Sequence, residues 1–127
     1  EVFPYAREHD LPLNRDKIMA FPLTADFKDI FPQAIYDSRE DFLAAGTIIW
    51  NGPFGAIEEE QWQTGTEKVI DLILQNKAAF KVVGGGDTVG FLDKFGLTDK
   101  FDWVSCGGGS MLKFLAEEKL PGIEALL

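Results

Sequence analysis

Two glycine triplets offer the most specific chemistry in this sequence. Gly84-Gly85-Gly86 runs into Asp87-Thr88, Gly107-Gly108-Gly109 runs into Ser110, and the two triplets start 23 residues apart. Glycine has no Cβ, so an anion such as a phosphate can come close to the backbone N–H groups. Where such a run opens a helix, the helix N-terminus adds about half a unit of positive charge. A single triplet is equally well explained by a tight turn. Two triplets at equivalent places in a sheet could hold one polyphosphate between them. Neither is a familiar nucleotide fingerprint. No G-x-x-x-x-G-K-[ST] run is present, and Val89 occupies the position of the third glycine in G-x-G-x-x-G. Asp87 repels bare pyrophosphate, which points to Mg²⁺ between carboxylate and phosphate. Thr88 offers a hydroxyl and an N–H, although Asp87-Thr88 also reads as an ordinary helix cap.

A third candidate is Trp50-Asn51-Gly52-Pro53-Phe54-Gly55, in which the Asn51 carboxamide could bind a ligand or simply shape a turn. Glu58 to Glu60 form an acidic cluster of the kind that starts a solvated helix. His9 has no chemical partner nearby in sequence and reads as a surface residue. Cys106 has no identifiable base and reads as an inert thiol, and Trp62 and Trp103 read as packing residues.

These motifs need a scaffold, and the hydrophobic pattern supplies one. Asp37 or Ser38 can cap a helix running to about Ala45, with Gly46 closing it. Thr47 to Trp50 is a β-branched apolar run suited to a buried strand. Thr66 is placed to cap an amphipathic helix with Val69, Ile70, Ile73 and Leu74 on one face, ending at Lys77. Further strands are predicted over Ala79–Val83 and Asp102–Ser105, and further helices over Thr88–Lys94 (stopped at Gly96) and Ser110–Glu117 (stopped by Lys119-Leu120-Pro121). Strand, loop and helix alternate three times, the signature of parallel βαβ units. Both triplets therefore fall at the carboxyl ends of strands, where ligands bind in such sheets. Residues 1–36 are less regular. Four of the six prolines lie there (Pro4, Pro12, Pro22, Pro32), and the segment from Lys17 to Phe21 is the one strand expected.

Composition limits the alternatives. The 127 residues make one domain or part of one. With 21 acidic and 12 basic residues, the net charge of -9 argues against nucleic acid or an anionic membrane as the main partner. The hydrophobic fraction of 46% suits a folded protein, and 11 Phe and 3 Trp can fill a core. No apolar run reaches the roughly 20 residues that span a bilayer. One cysteine and one histidine cannot form a disulfide or a Cys/His metal site. A reducing, cytoplasmic setting is expected. The chain starts with Glu1 rather than Met, has no signal peptide, and is read as a fragment.

Taken together, these segments resemble phosphoglycerate kinase, in the end of its C-terminal nucleotide-binding domain. The resemblance is carried by Trp50-Asn51-Gly52-Pro53 with Gly55 and Glu58, by Gly65-Thr66-Glu67, and by Gly84-Gly85-Gly86-Asp87-Thr88. It continues through Lys94-Phe95-Gly96-Leu97, Val104-Ser105 with the second triplet, and Leu120-Pro121-Gly122. It is specific from residue 46 to 127 and looser over 1–45, where Leu11-Pro12-Leu13 is similar to the family's Leu-Pro-Val. The resemblance implies a Rossmann-like three-layer α/β/α fold with a parallel sheet, residues 1–127 being part of the C-terminal domain of a two-domain kinase.

The implied activity is reversible, Mg²⁺-dependent phosphoryl transfer between 1,3-bisphosphoglycerate and ADP, giving 3-phosphoglycerate and ATP in glycolysis. By the same resemblance, Glu58 binds the nucleotide ribose and Asn51 and Pro53 line the nucleotide site, with Gly85 and Gly86 beside it. Asp87 works with the nucleotide's metal and Thr88 meets its phosphates. Gly107, Gly108 and Gly109 open a helix aimed at the transferring phosphoryl group. Cys106 stands where the family has Thr and Ser110 where it has Ala, and the Gly-Pro expected near Tyr36-Asp37-Ser38 is absent. The phosphoglycerate-binding N-terminal domain and the first half of the C-terminal domain are missing, so the piece is taken as the last third of a monomeric enzyme and as inactive alone. Two other readings compete: a non-catalytic nucleotide- or phosphate-binding module, and a structural fragment that self-associates through an exposed sheet.

Overall fold

The computed structural model describes residues 23–26 and 28–126. The strand expected over residues 17–21, the Leu11-Pro12-Leu13 match, His9 and three of the N-terminal prolines lie outside the described residues. Within them, the chain runs α1 (Pro32–Asp37), α2 (Arg39–Ala44), β1 (Thr47–Asn51), a 3-10 turn at Glu60–Trp62 and α3 (Thr64–Gln75). It continues through β2 (Phe80–Gly84), α4 (Gly86–Lys94), a 3-10 turn at Thr98–Lys100, β3 (Trp103–Ser105), α5 (Gly108–Leu115) and α6 (Pro121–Glu124).

The three strands form one parallel sheet in the order β1-β2-β3. Helices therefore carry the chain back between strands, as the alternating pattern requires. The register aligns Trp50 with Val83 and Val104, and Ile49 with Val82 and Trp103. Trp50 and Val83 are buried, in one cluster with Val69, Ile70, Leu72 and Ile73 of α3 and Phe91 and Leu92 of α4. The other sheet face is only partly covered: Met111 of α5 lies over Gly84, while Ile49, Phe80 and Trp103 are exposed.

That uneven cover accounts for several departures from the sequence reading. β1 is not a buried strand; of its five residues only Trp50 is buried, because a pleated strand shows alternate residues to opposite faces. Trp103 is not a packing residue; it is 65% exposed, on the less covered face. Among the described phenylalanines only Phe91 and Phe101 are buried, so the core is mainly aliphatic.

Helix ends also differ. The helix expected from Asp37 or Ser38 is preceded by another, α1, whose first residue is Pro32. Proline there gives up only an N–H that has no intrahelical partner anyway. Pro121 opens α6 for the same reason, rather than only stopping the helix before it. Ser38 joins α1 to α2 without a side-chain cap; its hydroxyl donates to the Ala34 carbonyl at 3.2 Å. α3 starts at Thr64 and ends at Gln75, so Thr66 is not its cap and Lys77 not its end. α4 and α5 start inside the glycine triplets, at Gly86 and Gly108, each about one turn or less earlier than expected, and α5 ends at Leu115.

Asn76, just past α3, ties that helix to α2 and β2. Its Nδ2 reaches the carbonyls of Phe42 and Ala45 at 2.8 Å and of Leu43 at 3.2 Å. Its Oδ1 accepts from the N–H groups of Ala78 (3.0 Å) and Ala79 (2.9 Å). The residue is 5% exposed, so truncation strands several backbone groups away from water. Asn76→Ala is expected to cost about 3 kcal/mol in urea unfolding. Asn76→Asp should do no better, since it points a second acceptor at three carbonyls. An unchanged unfolding midpoint for either variant contradicts this role.

Candidate functional site

The parallel register brings three loops to one edge of the sheet. Asn51, Gly84 and Ser105 end β1, β2 and β3 and lie opposite one another in sequence. The Asn51-Gly52-Pro53 turn and both glycine triplets follow directly. This is the carboxyl edge, where adjacent parallel strands leave a crevice for ligands.

The three loops touch. The Asn51 side chain lies against both triplets: a Cβ on Gly85 would come within 3.1 Å of Asn51 Oδ1, and one on Gly108 would collide with the same oxygen. A Cβ on Gly108 would also lie 2.8 Å from the backbone N and Cα of Gly85. Gly85 has φ +97°, a left-handed conformation that side chains disfavour. The triplets are therefore needed for close approach of backbone to backbone, and Asn51 occupies the space between them. By contrast, nothing lies within 4 Å of a Cβ on Gly86 or Gly109.

Thr88 is fully buried, and its hydroxyl accepts the Gly52 N–H at 3.1 Å. It thereby fixes the turn after β1 to α4. Other side chains hold the same loop. Trp50 Nε1 donates to the Gly52 carbonyl (2.7 Å), Thr66 Oγ1 accepts the Phe54 N–H (2.9 Å), and Gln63 Nε2 donates to the Ile57 carbonyl (2.7 Å). These pins join residues up to 36 positions apart, and no local pattern in the sequence announces them.

Two grooves flank the pinned loop. One, of about 320 Å³, is lined by Ile57, Glu58, Gln63, Gly86, Asp87, Gly90, Phe91 and Lys94. It unites Glu58 with Gly86 and Asp87 and places one cation, Lys94, beside them. The other, of about 370 Å³, holds Pro53 with Phe54, Gly55, Ala56, Leu23, Lys28, Asp29 and Ile30. Asn51, Gly85 and the second triplet line neither groove. Lys28 at the edge of the second groove pairs with Glu59 at 2.9 Å and lies 5.6 Å from the Trp62 ring centroid. The hydrogen bond from Lys28 holds the Glu59 carboxyl below its ordinary range. Cys106 is exposed.

Among the described residues no group of three or more His, Cys, Asp and Glu could hold a metal. Asp87, exposed in the first turn of α4, could instead meet a divalent cation that a phosphate ligand brought with it. The donor set thus fits Mg²⁺ carried by a ligand. No helix among the described residues is long and apolar enough to cross a membrane.

A family model for phosphoglycerate kinase matches residues 5–118. This chain belongs to the phosphoglycerate kinase family. The phosphoglycerate kinase of Dictyoglomus turgidum is 44% identical over 98 residues, covering 77% of this chain and 25% of that protein. That of Acidobacterium capsulatum is 41% identical over 107 residues, covering 84% of this chain and 26% of that one. The solved phosphoglycerate kinase of Coxiella burnetii superposes with a TM-score of 0.67 at 40% identity, over 76% of this chain and 25% of its own. The Pyrococcus horikoshii enzyme gives 0.68 at 38% identity, over 78% and 24%. The matched stretch thus covers about a quarter of the length of these relatives. The α/β fold with a parallel sheet is that of part of a phosphoglycerate kinase.

Proposed function

We propose that this chain forms the later part of the nucleotide-binding, C-terminal domain of a phosphoglycerate kinase. Its reaction is reversible phosphoryl transfer between 1,3-bisphosphoglycerate and ADP, a step of glycolysis, in a monomeric cytoplasmic enzyme. The observation that carries this reading is the meeting of both glycine triplets with Asn51 at the carboxyl edge of one parallel sheet. Phosphoryl transfer needs positioning and charge stabilisation more than covalent chemistry, and backbone N–H groups at helix starts supply both.

In this reading Glu58 binds the ribose, and Asn51, Pro53, Gly85 and Gly86 shape the nucleotide site. Asp87 holds the nucleotide's Mg²⁺, which when bound neutralises phosphate charge. Gly107, Gly108 and Gly109 direct N–H groups at the transferring phosphoryl group. A supporting task for the Thr88 hydroxyl is favoured by its burial and by the Gly52 N–H it accepts, which positions the turn. The groove that unites Glu58 and Asp87 holds only one cationic side chain, Lys94. Further positive groups for phosphate binding must come from the rest of an enzyme of the relatives' length, as must the phosphoglycerate site.

The test is ATP formation from 1,3-bisphosphoglycerate and ADP. Turnover is expected from a protein of the relatives' full length that carries this chain and not from the 127 residues alone, which should still bind Mg-ADP weakly. Absence of turnover in the long form rejects the kinase reading. Binding without turnover in both forms favours a nucleotide-binding module instead.

A further inference from the structure

One buried carboxylate borders the groove that holds Pro53. Asp29 is 5% exposed and meets no cationic side chain among the described residues. Its Oδ2 accepts the Gly65 N–H at 2.9 Å, and its Oδ1 accepts the Ile30 N–H at 2.8 Å. Gly65 is the second residue of α3, so Asp29 caps that helix from 36 positions away. The residue at the usual capping place, Gln63, makes no side-chain cap; its Nε2 donates instead to the Ile57 carbonyl. A carboxylate at a helix start is stabilised by free N–H groups and by the helix dipole, which compensates for its burial.

The same residue grips the loop between β1 and α3. Asp29 pairs with Gly55 as an antiparallel bridge, and the neighbouring Lys28 carbonyl accepts the Ala56 N–H at 2.9 Å. A Cβ on Gly55 would lie 2.8 Å from Asp29 Oδ1, and a Cβ on Gly65 would collide with it. The carboxylate is thus wedged between loop and helix at a place only glycines leave open. Its own backbone is held by Thr24, whose hydroxyl accepts the Asp29 N–H at 3.1 Å.

We infer that Asp29 is a positioning residue for nucleotide binding: it locks the Pro53–Glu58 loop to the start of α3 and so sets where Glu58 stands beside Asp87. This rests on the proposed nucleotide site. Capping a helix by itself would call for any good acceptor; a buried charge shared between helix and loop couples the two.

The test is calorimetric titration of Mg-ADP into the full chain and three variants: Asp29→Asn, Glu58→Ala and the pair. Asp29→Asn keeps the shape but turns an NH₂ toward an N–H that needs an acceptor. It is expected to weaken Mg-ADP about tenfold, and the pair should be no more than about threefold weaker than the weaker single variant, because both act through one contact. Unchanged affinity for Asp29→Asn, or fully additive losses, overturns the inference and leaves Asp29 as a fold residue only. A loss with Asp29→Asn but none with Glu58→Ala also overturns it, because the effect then does not run through the placement of Glu58. If Asp29→Asn does not fold, amide exchange of the unaltered chain decides. Reciprocity of coupling requires Mg-ADP to raise protection at Ile30, Ala56 and Gly65, and no rise overturns the inference. Failure of the unaltered chain to bind Mg-ADP refutes the nucleotide site itself, and this inference with it.

Discussion

Gly108→Ala is expected to lose about 3 kcal/mol of stability, while Gly109→Ala, one residue on, gains a few tenths or more. The contrast follows from what each added methyl meets. On Gly108 it runs into Asn51 Oδ1 and sits 2.8 Å from the Gly85 N and Cα. Two of these three atoms are backbone, and the Gly85 backbone already holds φ +97°, so it has no easy direction in which to yield. On Gly109 the methyl meets nothing within 4 Å, and the residue is inside α5, where alanine is the better helix former by about 1 kcal/mol. Urea midpoints of the two variants settle the matter, and equal midpoints remove the close approach of the triplets from the account. A further consequence is functional. Relief of the clash must push β3 and α5 away from β2, which opens the crevice that the proposed phosphoryl site depends on.

Asp87→Ala is expected to reduce turnover roughly 100-fold in a kinase of full family length, with a smaller change in the KM for Mg-ADP. Asp87 is exposed in the first turn of α4 and borders the groove it shares with Glu58, so its loss leaves no buried group unpaired. Stability should hardly change, which separates this variant from Gly108→Ala. The argument for turnover is that charge on the transferring group is greatest in the transition state, so a group that places its counter-ion acts there more than on the bound nucleotide. Steady-state kinetics at saturating Mg-ADP check it. Normal turnover with Asp87→Ala removes the metal role assigned to that carboxylate, whereas a pure KM effect makes it a binding residue only.

Much of the architecture was legible because it is written in local patterns. The β-branched run at Thr47 to Trp50, the apolar stripe of α3 and the strand before each triplet all appear where expected, within a few residues. Helix starts were less legible. Thr66 looked like a cap because its type is right, yet it is buried in the first turn of α3 and accepts the Phe54 N–H. The triplets looked like loops, yet Gly86 and Gly108 are the first residues of α4 and α5. Burial was the least legible property. Trp103 has the composition of a core residue, and whether it packs depends on which face of β3 another layer covers.

The candidate site divides the same way. The sequence by itself determined the family, the order of the motifs and the glycine, asparagine and acidic residues available for binding, because these depend on residue type and spacing alone. Only the tertiary structure decided that Asn51 sits between Gly85 and Gly108, that Glu58 and Asp87 share a groove while Pro53 lines another, and that the Thr88 hydroxyl accepts the Gly52 N–H. It also brought in Asp29, which nothing in the linear pattern marks. The physical reason is that parallel pairing sets residues dozens of positions apart edge to edge. The contacts that follow depend on register and on the absence of a Cβ at particular glycines, quantities that exist only once the sheet has formed.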